Sequence, residues 1–328
     1  MWLLYARYVE NDMNRSVLAT AAIFLAISSI GTPAAAQNDA AQNDSSGKIN
    51  WNQRAPWGAA SANEVRLPPE KTTYKPFKVF DNVYFVGLRY VSCYLVTTSA
   101  GLVLIDSTFA ATADNVLDNV RTLGFDPSNI KYIFVTHSHL DHFGGAGEIQ
   151  KVTGARVGLS LEDWQSVAKQ QAGPNKEQFG LPLTQDIILK DNSSITVGDT
   201  TFKFYFTPGH TVGATSVEFQ VKDRGKSYRA LVPGGMGIQF GPEWTPVFIK
   251  SVERMKALGP WDVILGNHVF LTLVPLIPDV ENGLATRGDG PNPAIEGPQK
   301  INEWFDAVLK TANDKLALEK GLAKPSGS

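Results

Sequence analysis

Short apolar runs separated by Asn, Gly and Ser positions fill the chain from Phe77 onward, and this pattern predicts strands joined by tight turns. Apolar residues at helical spacing lie between and after these runs, and the last helix places Ile301, Trp304 and Val308 on one face. Two β-rich halves, each flanked by helices, favour two packed sheets covered by helices on the outside. We therefore expect an α/β fold built as a single αββα sandwich. The strands are predicted at 78–80, 83–86, 93–98, 102–105, 132–135, 157–159, 187–189, 195–197, 202–206, 215–221, 228–232 and 263–265.

Composition limits the class of protein. Of the 328 residues, 43% are hydrophobic and 19% are charged, which supports a sizeable core and excludes a disordered chain. The formal net charge of −2 removes the usual electrostatic reason to expect a nucleic-acid partner. Cys93 is the single cysteine of the sequence, which excludes an internal disulfide and any site built from several thiolates. We interpret Cys93 as an inert buried side chain.

The segment 13–36 has the pattern of a secretory signal. Arg15 provides a basic start, an apolar run extends over 17–30, and three alanines precede Gln37 as a small-residue cleavage site. The apolar run is shorter than the ~20 residues that a membrane-spanning helix needs, so we expect cleavage rather than an anchor. This predicts a periplasmic or secreted protein with no membrane contact after cleavage.

These boundaries divide the chain into three parts. Residues 1–36 are the predicted signal peptide, in which 1–12 precede the better start at Met13 and are interpreted as an artefactual extension. Residues 37–50 are too polar to form a core, and we expect a flexible leader. Residues 51–328 are the predicted folded domain.

Potential metal ligands cluster in the motif THSHLDHFGG at 136–145. The motif follows an apolar strand, and strand ends feeding loops are where open α/β folds place ligands. Two further histidines, His210 and His268, also follow apolar strands, so the three loops can converge. Within six residues the motif offers four donors, His137, His139, Asp141 and His142.

The donor types indicate which metal to expect. Imidazole nitrogen and carboxylate oxygen suit zinc, and the lack of thiolate argues against sites that select softer ions, so zinc is expected, with manganese or iron as alternatives. One histidine at a strand end is more often a hydrogen-bonded structural residue than a ligand. Here all five histidines of the sequence fall at three such ends, and that clustering favours a metal centre.

The motif HSHLDH with Gly144 and Gly145, followed by GHT at 209–211 and GNH at 266–268, resembles the metallo-β-lactamase superfamily. With Asp106 in LVLID, the resemblance covers roughly residues 76–310. It implies an αββα sandwich of two mixed sheets and a hydrolase with two zinc ions per chain. A ligand histidine at 142, without a cysteine ligand, and the late segment NPAIEGPQKINEW are similar to the third subclass of true metallo-β-lactamases. The resemblance implies His137, His139 and His210 as ligands of the first metal, and Asp141, His142 and His268 as ligands of the second.

The resemblance also implies a mechanism. Two Zn²⁺ ions would lower the pKa of a shared water and polarise the substrate carbonyl, so that a metal-bound hydroxide attacks the β-lactam ring of a small-molecule antibiotic. Asp141 would orient the hydroxide and pass a proton to the leaving group, as the catalytic residue. Asp106 is a candidate acceptor for the N–H of a ligand histidine, with an ordinary turn residue as the alternative.

The segment PGGMG after the strand 228–232 departs from part of this family. Members that hydrolyse thioesters, lactones or phosphodiesters generally carry an aspartate there that bridges the two metals, and its absence favours the lactamase-like branch. The third subclass usually presents serines here that hold the substrate carboxylate, whereas this chain has Gly234, Gly235 and Met236, and the next cation is Lys250. Met236 is either a pocket residue or a core residue.

Four further residues are candidates for apolar pocket walls, with packing of their own loops as the alternative. They are Trp51, Trp57, Phe179 and Leu181.

Three functions remain open from the sequence. The first is a zinc hydrolase that opens β-lactam rings. The second is a dinuclear metal hydrolase of another ester, such as a lactone or phosphodiester, with weak or absent lactamase activity. The third is a catalytically silent metal-binding or scaffolding protein, which the full set of six ligands disfavours.

Overall fold

Two sheets make up the centre of the computed structural model, which describes residues 68–174, 176–238, 240–268 and 277–321. The predicted signal peptide at 1–36, the leader at 37–50, Trp51 and Trp57 lie outside these residues and stay predictions. The strands are β1 (Phe77–Phe80), β2 (Val83–Phe85), β3 (Tyr94–Thr98), β4 (Gly101–Ile105), β5 (Ile130–Phe134), β6 (Arg156–Leu159), β7 (Ile187–Ile188), β8 (Ser193–Val197), β9 (Thr200–Phe206), β10 (Thr215–Asp223), β11 (Lys226–Val232) and β12 (Val263–Ile264).

Helices connect the strands and follow them. The last helix carries the predicted face of Ile301, Trp304 and Val308, whereas α2 and α6 were not predicted from the apolar spacing. The helices are α1 (Ala113–Thr122), α2 (Leu140–Phe143), α3 (Ala146–Thr153), α4 (Leu161–Ala172), α5 (Thr245–Leu258), α6 (Ile277–Thr286) and α7 (Pro298–Glu319).

Both sheets are mixed. The first has the order β1-β2-β3-β4-β5-β6-β7, with antiparallel pairing as far as β4 and parallel pairing from β4 to β7. The second has the order β12-β11-β10-β9-β8, in which the pair β11 and β12 is parallel. Such mixed sheets place strand ends from distant parts of the chain at a common edge.

An apolar core lies between the sheets. Phe134 of β5 contacts Phe202 and Phe204 of β9, with ring centroids 5.3 Å and 5.0 Å apart. A second core lies between the first sheet and its helices, and Val116 of α1 and Trp164 of α4 belong to it. Burial of these side chains is the main favourable contribution to folding.

The second sheet is covered by α5, and α7 packs along α5. Met255 of α5 accepts a hydrogen bond at its Sδ from Ser216 Oγ of β10, at 3.3 Å. The predicted α/β class and the αββα sandwich are therefore confirmed. In the described part of the chain, no helix combines the length and apolar character needed to span a bilayer.

The carboxyl ends of the central strands meet at one edge. β4 and β5 are parallel in the first sheet, and β9, β11 and β12 point the same way in the second. The two sheets are joined at this edge by a backbone hydrogen bond from Thr215 N to Thr136 O, 2.8 Å long. The loops that carry the histidines all leave from these strand ends.

Candidate metal centre

The motif loop runs from the end of β5 into α2. Its start is fixed by Asp106, which follows β4 and whose Oδ1 accepts from Thr136 N at 2.7 Å while its Oδ2 accepts from Thr136 Oγ1 at 2.9 Å. The short helix α2 then places Asp141 and His142 one turn beyond His139. The loop is thereby held by hydrogen bonds within the protein.

His137, His139 and His210 form one cluster, which we call the first cluster. Their ring centroids are 4.6–4.8 Å apart, and one potential ligand atom from each lies within 4.8 Å of the others. His210 donates from Nδ1 to Gly237 O at 2.8 Å, which leaves its Nε2 as the nitrogen with a lone pair. The cluster therefore joins the motif loop to the loop after β9.

His137 shows the same division of roles between its two nitrogens. Its Nδ1 lies 3.0 Å from Thr136 Oγ1, whose own hydrogen points to Asp106, so Nδ1 is the donor. Its Nε2 is fully buried and has no hydrogen-bond partner. A buried nitrogen lone pair without a partner is costly in a closed core, but it is what a metal ligand requires.

Asp141, His142 and His268 form the second cluster. The Nε2 atoms of His142 and His268 are 3.1 Å apart, and Asp141 Oδ2 lies 3.3 Å from each of them. The Nδ1 of His142 donates to Asp106 Oδ2, and the Nδ1 of His268 donates to Tyr90 O, both at 2.9 Å. The remaining donor atoms face one common point. They are Nε2 of His142, Nε2 of His268 and Oδ2 of Asp141.

The protonation states of His137, His210 and His268 suit metal ligands. Burial and the neighbouring imidazoles hold the pKa of His137 well below its usual range. Burial, together with His139, lowers the pKa of His210 to about 3, and burial lowers that of His268 to about 4. These imidazoles are neutral at pH 7 and can offer a lone pair.

The carboxylate of the second cluster is ionised. Burial by itself raises the pKa of Asp141, but the imidazoles of His142 and His268 outweigh it and hold the pKa below its ordinary value. Burial lowers the pKa of His142, whereas Asp141 and Asp106 raise it, and the carboxylates prevail. The negative charges of Asp141 and Asp106 therefore attract a cation at this point, either the proton on His142 or a metal ion that displaces it.

The donor set fits zinc. Five imidazoles and one carboxylate, four of the imidazoles with Nδ1 held by a neighbouring oxygen, match the nitrogen and oxygen donors and the supporting hydrogen bonds of zinc sites. Cys93 takes no part, because its buried Sγ donates to Asp106 O at 3.1 Å. The structure brings together all six side chains that the sequence analysis proposed as ligands.

Glycine is required in the segment after β11. A Cβ at Gly234 would lie 2.7 Å from Thr215 N and 2.8 Å from Thr207 Oγ1. A Cβ at Gly235 would lie 2.3 Å from His210 Cδ2, and its φ of +114° disfavours any other residue. The close approach explains physically why neither a carboxylate nor a serine stands at these two positions.

The residues considered as apolar pocket walls differ in their burial. Met236 is buried to 1% exposure and is a core residue, so its interpretation as a pocket wall is wrong. Phe179 is also buried and stacks on Phe143 at 6.1 Å, which makes it a core residue beneath α2. Leu181 is exposed.

Sequence reasoning missed Asn267, which is 1% exposed and lies next to His268. Its Nδ2 donates to Pro233 O at 3.1 Å and lies 3.4 Å from Thr136 Oγ1, so it contacts the residues that follow β11 and β5. The only sequence feature that could have indicated Asn267 was its position in the GNH segment at 266–268. Asp163, on α4, was missed as well and is described below.

Comparison with known proteins agrees with this centre. Residues 86–224 match the family model described as the metallo-β-lactamase superfamily. The chain is similar in structure to BJP-1, a subclass B3 metallo-β-lactamase of Bradyrhizobium japonicum, with a TM-score of 0.64, 28% identity, and coverage of 76% of this chain and 96% of that one. Residues 86–224 therefore carry a domain of the metallo-β-lactamase superfamily, and the predicted resemblance to the third subclass is confirmed.

Curated proteins that are similar to this chain in sequence carry names other than β-lactamase. A hydroxyacylglutathione hydrolase of Ectopseudomonas mendocina is 34% identical over 127 residues, which are 38% of this chain and 42% of that protein. The N-acyl homoserine lactonase AttM of Rhizobium radiobacter is 31% identical over 109 residues, 31% of this chain and 40% of that protein. The chain thus spans about two fifths of the length of these two relatives.

Proposed function

We propose that this protein is a metal-dependent hydrolase that binds zinc in both clusters and opens β-lactam rings. The two converging donor clusters support metal-dependent hydrolysis, and the similarity in structure to a subclass B3 enzyme supports the lactam as substrate. A small-molecule substrate is consistent with this class of enzyme.

The glycine pair after β11 is the observation that favours a lactam over other esters. Ester-cleaving members of the superfamily are expected to carry a metal-bridging aspartate in this segment. At Gly234 and Gly235 the backbone of β10 and the imidazole of His210 leave no room for a side chain. The two metals of this protein would be held without that bridge.

The chain's own residues define the chemistry around the metals. Zinc ions in the two clusters would polarise the amide carbonyl and lower the pKa of water toward neutrality. Asp141 is 23% exposed at the mouth of the second cluster, so its carboxylate can meet both water and substrate. It accepts the proton that the attacking water loses and returns it to the ring nitrogen as the C–N bond breaks.

A second candidate is the hydrolysis of a lactone or thioester. It is favoured by the names of the two curated relatives, whose matches cover 38% and 31% of this chain. In that case the same two clusters would act on an ester carbonyl. The two candidates differ in their best substrate and agree in their dependence on metal.

The test is a substrate panel with the purified protein. Zinc content is measured by mass spectrometry, and hydrolysis is measured for a penicillin, a chromogenic cephalosporin, a carbapenem, an acyl homoserine lactone, an acylglutathione and a phosphodiester. We expect about two zinc ions per chain, with the largest kcat/KM for a β-lactam and loss of activity on chelation. The matched control is His210→Ala, which removes one donor of the first cluster.

The outcomes separate the candidates. A lactone or thioester as the best substrate would replace the lactam by the second candidate. Full hydrolysis after chelation would overturn metal dependence altogether. Zinc binding without turnover of any substrate would favour the silent metal-binding protein.

We further propose that the protein is exported to the periplasm or secreted. The support is the signal-like segment 13–36 of the sequence. N-terminal sequencing of exported material should begin near Gln37. A retained Met13 would show that the segment is an anchor.

A further inference from the structure

Asp163 is a carboxylate that the interior of the protein encloses. It lies in the first turn of α4 and is 1% exposed. A carboxylate is rarely buried so completely unless hydrogen bonds or cations compensate for the lost water. The hydrogen-bond donors around Asp163 therefore indicate its role in the structure.

Both oxygens of Asp163 accept hydrogen bonds from other loops. From the motif loop, Ser138 donates its N–H at 3.1 Å and its Oγ at 2.8 Å. From the loop after β9, Thr211 donates its Oγ1 at 3.0 Å and Gly213 its N–H at 3.2 Å. One carboxylate thus joins a loop of the first sheet to a loop of the second.

The joined residues stand directly beside the first cluster. Ser138 lies between His137 and His139 in the chain, and Thr211 follows His210. The three donors of the cluster therefore come from the two loops that Asp163 holds together. The separation of these loops sets the separation of the imidazoles.

A helix-capping role does not account for these contacts. The sequence S-x-x-D at 160–163 has the form of a helix start, and Ser160 Oγ does accept from the N–H of Asp163 at 3.1 Å. The carboxylate is not used for that cap, since all four of its hydrogen bonds described above go to the two loops. α4 adds a further contact, from Gln170 Nε2 to Ser138 O at 2.9 Å.

The second cluster is held by different groups. Asp106 fixes His142, and the carbonyl of Tyr90 fixes His268. An effect of Asp163 on metal binding should therefore be larger for the first cluster than for the second.

We infer that Asp163 is a positioning residue, which sets the geometry of His137, His139 and His210 and so the affinity of the first cluster for zinc. Metal ligands must be placed within a few tenths of an ångström, and buried charge-assisted hydrogen bonds give that precision. The inference rests on the proposed function only in so far as the first cluster binds zinc.

The test measures zinc affinity site by site with a chromophoric chelator. Asp163→Asn is made in the full chain, in a His268→Ala background that weakens the second cluster, and in a His210→Ala background that weakens the first. We expect the dissociation constant of the first cluster to rise about tenfold in the full chain and with His268→Ala. No comparable change is expected with His210→Ala.

The matched control is Asp223→Asn. Asp223 is likewise buried and accepts two hydrogen bonds from Arg287, but it lies at the far end of β10 from the loops. A merely structural role of Asp163 would lower thermal stability in both variants and leave both zinc affinities alike. That result would overturn the inference.

A milder variant covers the case in which Asp163→Asn does not fold. Thr211→Val removes one of the four hydrogen bonds at nearly constant shape, and we expect a rise of the same dissociation constant of about two- to fivefold. If the wild-type chain binds no zinc, the proposed function fails. If it binds zinc and neither variant changes the first cluster selectively, only the role of Asp163 fails.

Discussion

The imidazole of His142 donates from Nδ1 to Asp106 Oδ2 across 2.9 Å, and both side chains are almost completely buried. The pair fixes the ring so that Nε2 faces the second cluster. Asp106 itself has a φ of +62°, an uncommon conformation for a residue with a side chain, which costs of the order of 1 kcal/mol. The hydrogen bonds to Thr136 and His142 hold it there and link both clusters to one carboxylate.

Asp106→Asn is expected to weaken zinc binding. Three donors face the carboxylate, and an amide has one oxygen to accept them, so at least one donor must face an NH₂ group. We predict a loss of zinc affinity of about 10- to 100-fold, measured by chelator competition. Asp199→Asn, at an exposed carboxylate, is the control. Equal affinities in the two variants would contradict the prediction.

Asp141→Asn is expected to reduce turnover. The amide cannot accept the proton of the attacking water, and it removes the negative charge between His142 and His268. We predict a fall in kcat of about 10²- to 10⁴-fold on the best substrate, with an unchanged circular dichroism spectrum. Near-normal turnover at full zinc occupancy would exclude Asp141 as the proton carrier.

The layers and the convergence of the six candidate ligands could be predicted from the sequence because their signals are local. Apolar runs mark the strands, and each histidine follows such a run. The helix α6 was missed because Pro278 and Gly283 interrupt its sequence, although proline suits a first helical turn. The helix α2 has four residues, too few to show a period.

Other features of the site depend on contacts across the fold. Asp163 has the sequence context of a helix start, and its link to Ser138 and Thr211 exists only after the two sheets pack. Gly235 has the context of a turn, and nothing in PGGMG shows that the ring of His210 lies against it. Such residues are found from distances, since no spacing along the chain encodes them.

Gly235→Ala is expected to disturb the first cluster. Its Cβ would overlap His210 Cδ2, so the imidazole or the loop must move. We predict a loss of stability of about 1–3 kcal/mol and weaker zinc binding in the first cluster, measured by urea unfolding and chelator competition. Gly225→Ala is the matched control, because Gly225 also has a positive φ but has open space around its Cβ. Equal zinc affinities in the two variants would show that the contact with His210 is unimportant.

Glu296 provides a prediction about pH. Burial raises its pKa to about 8, against the lowering effect of the Ile264 N–H and Lys300. Its Oε1 is buried without a hydrogen-bond partner, and its Oε2 lies 3.4 Å from Ile264 N. The folded protein therefore holds Glu296 neutral at pH 7, while the unfolded chain ionises it at its ordinary pKa.

The direction in which stability changes with pH follows from the number of protons bound by the folded and the unfolded states. Between the ordinary pKa of a glutamate and pH 8, the folded state binds more protons than the unfolded state, so stability falls as the pH rises. Glu296→Gln removes this dependence. We predict that the variant gains about 3–4 kcal/mol in free energy of unfolding over the wild type at pH 8 relative to pH 5. Urea unfolding at both pH values measures it, with Glu303→Gln on the exposed face of α7 as control. A gain that is the same at both pH values would mean that the carboxyl group of Glu296 is ionised in the folded protein.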